Sequence, residues 1–422
     1  MTLNNFTNPP PSVPNVILSF PRFHVLLVTL NRPKQLNAIP RGLHAKLDAL
    51  WNWYDAEPTL RCAVVTGSGR AFSAGADLKE WNDRNEQNIS AGSDRDRTWE
   101  DSGFGGLSNR RGKKPIIAAV NGLCLGGGME RMLNVDMVIS APDAKFALPE
   151  VTRGVVAGAG ALPRLTRTVG RQRASEMALL GRMHPAQQML EWGVVNRIVR
   201  AKGEHAVVEE ALSWATDVAC NSPDSVIVSR EGLLGGWEAE DPRASTKRID
   251  RGIFKRMEDT GLCLGGAMEM ILNVDMVISA PDAKFALPEV TRGVVAGAGA
   301  LPRLTRTVGR QRASEMALLG RMHPAQQMLE WGVVNRIVRA KGEHAVVEEA
   351  LSWATDVACN SPDSVIVSRE GLLGGWEAED PRASTKRIDR GIFKRMDGGE
   401  NMKEGVLSFV ERRKAEWKDS KL

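Results

Sequence analysis

Val120-Asn121-Gly122-Leu123-Cys124-Leu125-Gly126-Gly127-Gly128-Met129-Glu130 is the stretch whose reading decides the fold. The apolar run from Pro115 to Val120 reads as a buried strand leading into it, and Met129 to Leu133 open a helix behind it. The three consecutive glycines have no Cβ, so backbone N–H groups there can approach a bound group closely. The helix start adds positive dipole at the same spot, which suits a developing oxyanion. Residues 261–396 then repeat residues 122–257 at a constant offset of 139 (261 − 122). The copies differ only at Gly128 against Ala267, Arg131 against Met270 and Met132 against Ile271, so 133 of 136 positions match. Solenoid repeats are shorter and diverge further; this one reads as a recent tandem duplication or a misassembled sequence.

On the N-terminal side, residues 1–14 are rich in Asn and Pro and read as disordered or extended. Val16 to Ser19 and His24 to Leu30 alternate as a strand pair, and Leu43, Leu47, Leu50 and Tyr54 recur at helical steps within Pro40–Tyr54. Cys62 to Thr66 is a short buried strand closed by Gly67-Ser68-Gly69. Phe72-Ser73-Ala74-Gly75-Ala76-Asp77-Leu78-Lys79-Glu80 follows, a run of small residues into a helix start and a second place where backbone could approach a ligand. Residues 82–97 read as a polar loop. On the C-terminal side, strands are expected at Val135–Ser140, Ala144–Ala147 and Val194–Val199, with helices at Arg171–Leu180 and Pro185–Glu191. From Glu204 the pattern is helical, over about 204–220, 223–234 and 241–256, and the tail adds Met402–Trp417. Alternation of short strand, strand and helix points to an α/β spiral of small stacked units rather than one open sheet. The expected organisation is a disordered terminus (1–14), a spiral domain (15–200), a helical region (201–260), a duplicated partial spiral (261–339), and a helical region with the tail (340–422).

Composition bounds the partners. The chain has 422 residues, 42% hydrophobic and 25% charged, ample for a sizeable core. Net charge is +5, which suits an anionic ligand, but no Lys/Arg block argues for nucleic acid. No apolar run approaches the ~20 residues that span a bilayer. Cys62, Cys124, Cys220, Cys263 and Cys359 form no C-x-x-C pair and read as buried thiols in a reducing compartment. Ser420-Lys421-Leu422 at the extreme C-terminus reads as a peroxisomal address, which implies a peroxisomal import receptor as partner.

The chemistry follows from the two close-approach loops. Backbone N–H groups at Ala76 and Gly127 could form a two-donor oxyanion hole, and Glu130 and Glu150 could do acid–base work. Addition of water to a conjugated carbonyl needs this set: one carboxylate activates water, the other delivers a proton to the α-carbon, and the N–H pair holds the enolate oxygen. No H-E-x-x-H, metal-spaced Cys/His cluster, P-loop or nucleophile elbow is present, and His184 and His323 read as structural.

Leu30-Asn31-Arg32-Pro33 with Leu36-Asn37-Ala38, Ala74 to Lys79, Asn121 to Glu130, Pro149-Glu150, and Gly158-Ala159-Gly160 with Arg164-Leu165 together resemble the enoyl-CoA hydratase/isomerase (crotonase) family. The resemblance spans about residues 15–257 and resumes in the tail at Glu404-Gly405 and Phe409 to Lys414. It implies a crotonase-like spiral of β-β-α units, then helices that assemble trimers, often paired as hexamers. It implies an acyl-CoA thioester substrate with an enolate intermediate and no separate cofactor, CoA being part of the substrate. By the resemblance, Ala76 and Gly127 match the oxyanion-hole donors, Ala74, Asp77, Leu78 and Lys79 lie in the segment lining the CoA site, and Glu130 and Glu150 match the catalytic glutamates of the hydratases. Both glutamates together favour hydration. Ala147-Leu148 and Val155-Val156-Ala157 depart from the family's usual pattern, so isomerisation or another dehydration stays open as an alternative. A non-catalytic acyl-CoA binder or misassembled duplicate is an alternative of another kind.

The second copy lacks any equivalent of residues 15–121, hence any second Ala-Gly-Ala-Asp loop. Glu130 and Glu150 are therefore expected to do the chemistry, and Glu269 and Glu289 not. Two helical segments compete for the spiral, and the one left out would expose apolar surface.

Overall fold

A computed structural model of the chain describes residues 6–77, 80, 102–200, 204–237, 262–339, 343–376, 389–397 and 399–420. Residues 1–5, Leu78, Lys79, the 82–97 segment, the expected 241–256 helix and the final Lys421-Leu422 lie outside the described residues.

Strands β1 (Val16–Arg22), β2 (Val25–Leu30), β3 (Cys62–Gly67), β5 (Ile116–Val120), β7 (Met137–Ser140) and β10 (Arg197–Ile198) form one sheet in that order. A second sheet runs β4 (Ala71–Ser73), β6 (Leu123–Leu125), β8 (Lys145–Ala147), β9 (His184–Pro185). Each of the three turns β3–β4, β5–β6 and β7–β8 therefore gives one strand to each sheet, which is the spiral that the alternating pattern implied. All pairings inside these turns are parallel, with Ala63 opposite Ile116, Ala118 opposite Val138 and Cys124 opposite Phe146. β1 is an antiparallel edge on β2.

The central strand β5 is buried along its whole length, so its residues read as one apolar run rather than an alternation. Period two still sorts them. Ile116, Ala118 and Val120 face a core built with helix α1 (His44–Ala56), whose Leu47, Leu50, Trp51 and Tyr54 are buried at three- and four-residue steps. Ile117 and Ala119 face a second core against helix α6 (Glu204–Cys220), through Val207, Ala211, Leu212 and Ala215.

Between β6 and β7 lies the short helix α2 (Gly127–Met132); α3 (Ala161–Val169), α4 (Arg171–Leu180) and α5 (Ala186–Glu191) follow β8. Helix α7 (Pro223–Trp237) comes after α6. The first copy's own α6 packs on β3 and β5, and Arg230 ties α7 to the spiral through Asp136. In the second copy the strands are β11 (Leu262–Leu264), β12 (Ile278–Ser279), β13 (Lys284–Ala286), β14 (His323–Pro324) and β15 (Arg336–Ile337). They make only a three-stranded and a two-stranded sheet. Its helices are α8 (Gly266–Ile271), α9 (Ala300–Val308), α10 (Arg310–Leu319), α11 (Ala325–Glu330), α12 (Glu343–Ala358) and α13 (Pro362–Trp376), before the tail helix α14 (Glu400–Glu411). With no sheet to receive it, α12 leaves Leu351 61% exposed, where Leu212 of the first copy is buried; Leu372 on α13 is 75% exposed, where Leu233, on the helix that α9 and α10 pack against, is buried.

Helices α9 and α10 pack on α7 and α6, so the second core is continuous from one copy into the other. Leu301, Leu318 and Leu319 are buried there, whereas the identical Leu162, Leu179 and Leu180 are exposed. Fully burying one such side chain contributes about 1.5–3 kcal/mol.

Three expectations need correction. The strand expected over Val194–Val199 shrinks to Arg197–Ile198, because Val194 and Val195 bond back to Met189 O as the α5 terminus. The tail helix stops at Glu411, where Arg412 takes a left-handed φ of 54°. Cys220 and Cys359 are exposed at helix ends, while Cys62 and Cys124 are buried.

Candidate active site

The loop after β4 and the glycine turn before α2 meet. A Cβ on Gly75 (φ +87°) would lie 2.6 Å from Gly127 N and 3.0 Å from Leu125 O, so the approach needs glycine on both steric and conformational grounds. Several bonds hold the 73–77 loop in place. Ser73 Oγ donates to Asn37 O (2.9 Å) and accepts from Gly75 N–H (3.1 Å), and Ala74 N–H donates to Leu36 O. Ile39 and Ala76 form a parallel bridge. Leu36 and Asn37 are left-handed, and Asn37 Nδ2 donates to Ser68 O and Ala71 O. The Leu36-Asn37-Ala38 motif is therefore a staple for the loop. Among the described residues no carbonyl accepts the N–H of Ala76 or of Gly127. Both amides stand uncommitted at the junction, Gly127 as the first residue of α2, where helix N–H groups have no internal partner.

The other walls of Gly127 and Gly128 are as tight. A Cβ on Gly127 would lie 2.5 Å from Phe104 Cε1. On Gly128 it would overlap the Ser73 carbonyl oxygen and lie 3.0 Å from Ser73 Cβ. Phe104 is held from behind by His44, at 4.7 Å between ring centroids, and Gly105 N–H donates to His44 Nδ1 at 2.9 Å. Burial, with the nearby Arg131 and Arg41 cations, pushes the His44 pKa down to about 4, so its ring is neutral at pH 7.

Two carboxylates flank the junction. Glu130, on the first turns of α2, is 3% exposed, and its Oε1 accepts the Ala159 N–H at 2.7 Å. Burial, and secondarily the Glu150 charge, raise its pKa to about 7 against the opposing bonds from Ala159 and Ala161 and the charge of Arg164. Glu150 is the second residue of the 3₁₀ turn Pro149–Arg153. Its Oε1 would lie 3.1 Å from a Cβ on Gly126, and its Oε2 is buried with no partner among the described residues. Burial raises its pKa too. Two carboxylates whose burial raises their proton affinity can serve as an acid and a base.

Ala74 is half-buried at the loop start, and Asp77 is held by a two-nitrogen ion pair from Arg32 at 3.0 Å. Two residues were missed by the sequence reading. Phe104 sits in a stretch without periodicity. Arg131 is fully buried next to Glu130, and its Nε, Nη1 and Nη2 have no partner among the described residues. Burial pushes its pKa down to about 10. The signal was available: Arg131 is one of the three positions at which the copies differ.

The second copy repeats half of this geometry. Glu269 Oε1 accepts the Ala298 N–H at 2.6 Å, and Glu289 Oε1 lies over Gly265 as Glu150 lies over Gly126. Among the described residues nothing stands where the 73–77 loop would be: a Cβ on Gly266 meets no atom within 4 Å, and Ala267 is exposed.

The Enoyl-CoA hydratase/isomerase family model matches residues 22–260 and, separately, residues 259–420. The chain belongs to the enoyl-CoA hydratase/isomerase family, with its second half duplicated. It is 66% identical over 255 residues to a mevalonyl-coenzyme A hydratase of Beauveria bassiana (strain ARSEF 2860), covering 60% of this chain and 90% of that protein. It is 48% identical to a mevalonyl-coenzyme A hydratase of Aspergillus fumigatus, covering 58% of this chain and 88% of that one. The crystal structure of an enoyl-CoA hydratase from Bacillus anthracis aligns at a TM-score of 0.49 and 32% identity, over 55% of this chain and 87% of that one. The protein is an enzyme of the hydro-lyase type acting on CoA thioesters.

Proposed function

We propose that the first copy adds water to, and in reverse removes water from, the α,β double bond of a short, methyl-branched, hydroxylated enoyl-CoA thioester. The observation that carries the reaction is the pair Glu130 and Glu150 flanking the uncommitted amides of Ala76 and Gly127. The thioester oxygen would lie between the two N–H groups, which stabilise it as negative charge develops during attack at the β-carbon. The ionised carboxylate takes a proton from the attacking water, and the protonated one gives its proton to the α-carbon, so the pair is regenerated with the proton exchanged. Ala74, Asp77, Leu78 and Lys79 would line the CoA moiety, which enters and leaves as part of the substrate.

The acyl group is read from the relatives. Two mevalonyl-coenzyme A hydratases match at 66% and 48% identity over nearly their whole lengths. A mevalonyl thioester carries hydroxyl and methyl groups on its β-carbon and a terminal hydroxyl; loss of water across the α,β bond leaves the branched enoyl thioester. The Ser420-Lys421-Leu422 terminus supports peroxisomal import.

The test is to incubate the full chain with mevalonyl-CoA, with its dehydration product, and with the unbranched crotonyl-CoA, and to follow products by mass. Interconversion of the first two, with crotonyl-CoA a poorer substrate, is expected. Preference for crotonyl-CoA would overturn the acyl assignment. A product of unchanged mass, with the double bond moved, would overturn hydration.

A further inference from the structure

Glu130 is gripped by the turn that opens α3. Its Oε1 accepts the Ala159 N–H at 2.7 Å, and the N–H of Ala161, the first residue of α3, bonds to it as well. Between these two amides lies Gly160 at φ +104°, a conformation that residues with a side chain rarely adopt. Arg164, one turn further on and 8% exposed, closes over the turn. Its Nη1 donates to Gly160 O at 3.3 Å, and a Cβ on Gly160 would overlap that nitrogen. Its Nη2 donates to Asn109 Oδ1 at 2.8 Å. The guanidinium therefore bridges the turn that grips Glu130 and the segment that carries Phe104 against Gly127. That segment is itself pinned. Phe104 N–H donates to Ser108 Oγ at 2.8 Å, Asn109 N–H donates to Ser102 O at 2.9 Å, and Asn134 Nδ2 donates to Leu107 O and Arg110 O.

The second copy separates what is local from what is not. Gly299 at φ +102°, Arg303 Nη1 donating to Gly299 O at 3.3 Å, and Ala298 N–H donating to Glu269 reproduce the turn. Its shape thus belongs to the repeated sequence. Asn109 does not, since it precedes the repeat and has no counterpart in the second copy. What Asn109 adds is a fixed place for a charge. Among the described residues, the charged groups that bear on Glu130 are Glu150, from the 3₁₀ turn after β8, and Arg164. Arg131, on the same helix as Glu130, runs under Gly105 and bears on His44 and Cys124. Arg310 of α10 bears on Arg164 itself. Burial and the Glu150 charge favour the protonated form of Glu130, and the Arg164 charge opposes them. A group that must both give and take a proton near neutral pH needs that opposition.

We infer that Arg164 is a positioning residue for Glu130, acting through the 158–160 turn and through its charge, and that Asn109 fixes the guanidinium in that place; this rests on the acid–base role proposed above for Glu130.

The experiment reads Glu130 directly. The full chain is labelled with isotopic glutamate, and the carboxyl titration is followed by NMR and assigned by its loss in Glu130→Gln. The titration is repeated in Arg164→Gln, Arg164→Lys and Asn109→Asp, and pH–rate profiles for enoyl-CoA hydration are recorded on the same proteins. Arg164→Gln removes the charge, and the titration and the falling limb of the profile are expected to move up by about one pH unit. Its plateau kcat is expected to drop roughly 10- to 100-fold, with KM little changed. Arg164→Lys keeps the charge without the two-ended bond, so the titration stays in place and part of kcat returns. Asn109→Asp, at an exposed position, sets a carboxylate against the guanidinium; the titration is expected to move up with the circular dichroism spectrum and melting temperature unchanged. A titration that stays in place in both Arg164→Gln and Asn109→Asp would overturn the proposal. So would a loss of kcat in Arg164→Gln with titration and limb unmoved, which marks a merely structural residue. Should Arg164→Gln lose its fold, Asn109→Asp decides the matter by itself. If the unchanged chain hydrates no enoyl thioester, the proposed function fails, while the titration still decides the place of Arg164.

Discussion

Gly128 lies against the carbonyl of Ser73 so closely that no side chain fits between them, and the same position in the second copy is Ala267, which is exposed. The difference between the copies follows the difference in their surroundings. Gly128→Ala in the first copy must push the 73–77 loop away from α2. Overpacking of this kind costs about 1–3 kcal/mol, and a displaced Ala76 amide costs about 10²–10³-fold in kcat. The reciprocal Ala267→Gly should change neither turnover nor melting temperature. Steady-state kinetics and thermal denaturation of the two variants check this.

The two pairs of glutamates give a second internal control. Glu130→Gln and Glu150→Gln should each lower kcat by about 10²–10⁴-fold. Glu269→Gln and Glu289→Gln should leave it unchanged, because among the described residues no loop completes an oxyanion site beside them. A loss at Glu289 matching that at Glu150 would show that the second copy does the chemistry.

The raised pKa of Glu130 sets a pH dependence. The proposed hydration needs one of the two carboxylates protonated, and Glu130, with a pKa of about 7 against an ordinary 4.5, keeps its proton late. Turnover should be present below that value and fall as pH rises through about 7. A pH–rate profile that stays flat well above pH 7 would contradict the assignment.

Arg131 is a cation buried without a partner among the described residues, and the second copy carries Met270 in its place. A buried unpaired charge is expensive, and methionine conserves most of the volume. Arg131→Met should stabilise the fold by roughly 1–3 kcal/mol, read as a higher midpoint in urea. A lower midpoint would mean that the guanidinium is engaged in solution.

Asp136 sits between Arg230 and Arg310, 1% exposed. Burial would raise its pKa, but the two guanidinium groups and the Ile116 N–H outweigh burial and hold it at about 2, below the ordinary 3.8. Its stabilisation is therefore whole above about pH 4 and is lost as pH falls towards 2. Asp136→Asn leaves two buried cations uncompensated and should cost about 3–5 kcal/mol. Asp275→Asn, in the exposed copy of the pair, should leave the melting temperature unmoved.

What the sequence by itself determined is the repeat and the local pattern of the spiral, though not every element's ends: the strand at 194–199 and the tail helix both prove shorter than their patterns imply. The glycine run at 126–128, the apolar strand before it and the alternation of short strand, strand and helix defined the spiral, because sheet burial and close backbone approach each demand particular residue types at particular spacings. The offset of 139 showed that the second copy had no Ala74–Asp77 loop to work with. Tertiary structure alone decided how residues distant in the chain combine. It set Asn37 as the staple of the 73–77 loop, Phe104 against Gly127, and an unpartnered Arg131 beside Glu130. It also decided that α6 of the first copy takes the sheet, with α7 tied on through Arg230, while α9 and α10 of the second seat on them. Identical sequences cannot reveal such a division of labour: Leu179 and Leu318 have the same neighbours along the chain, and only the packing around them makes one exposed and the other buried.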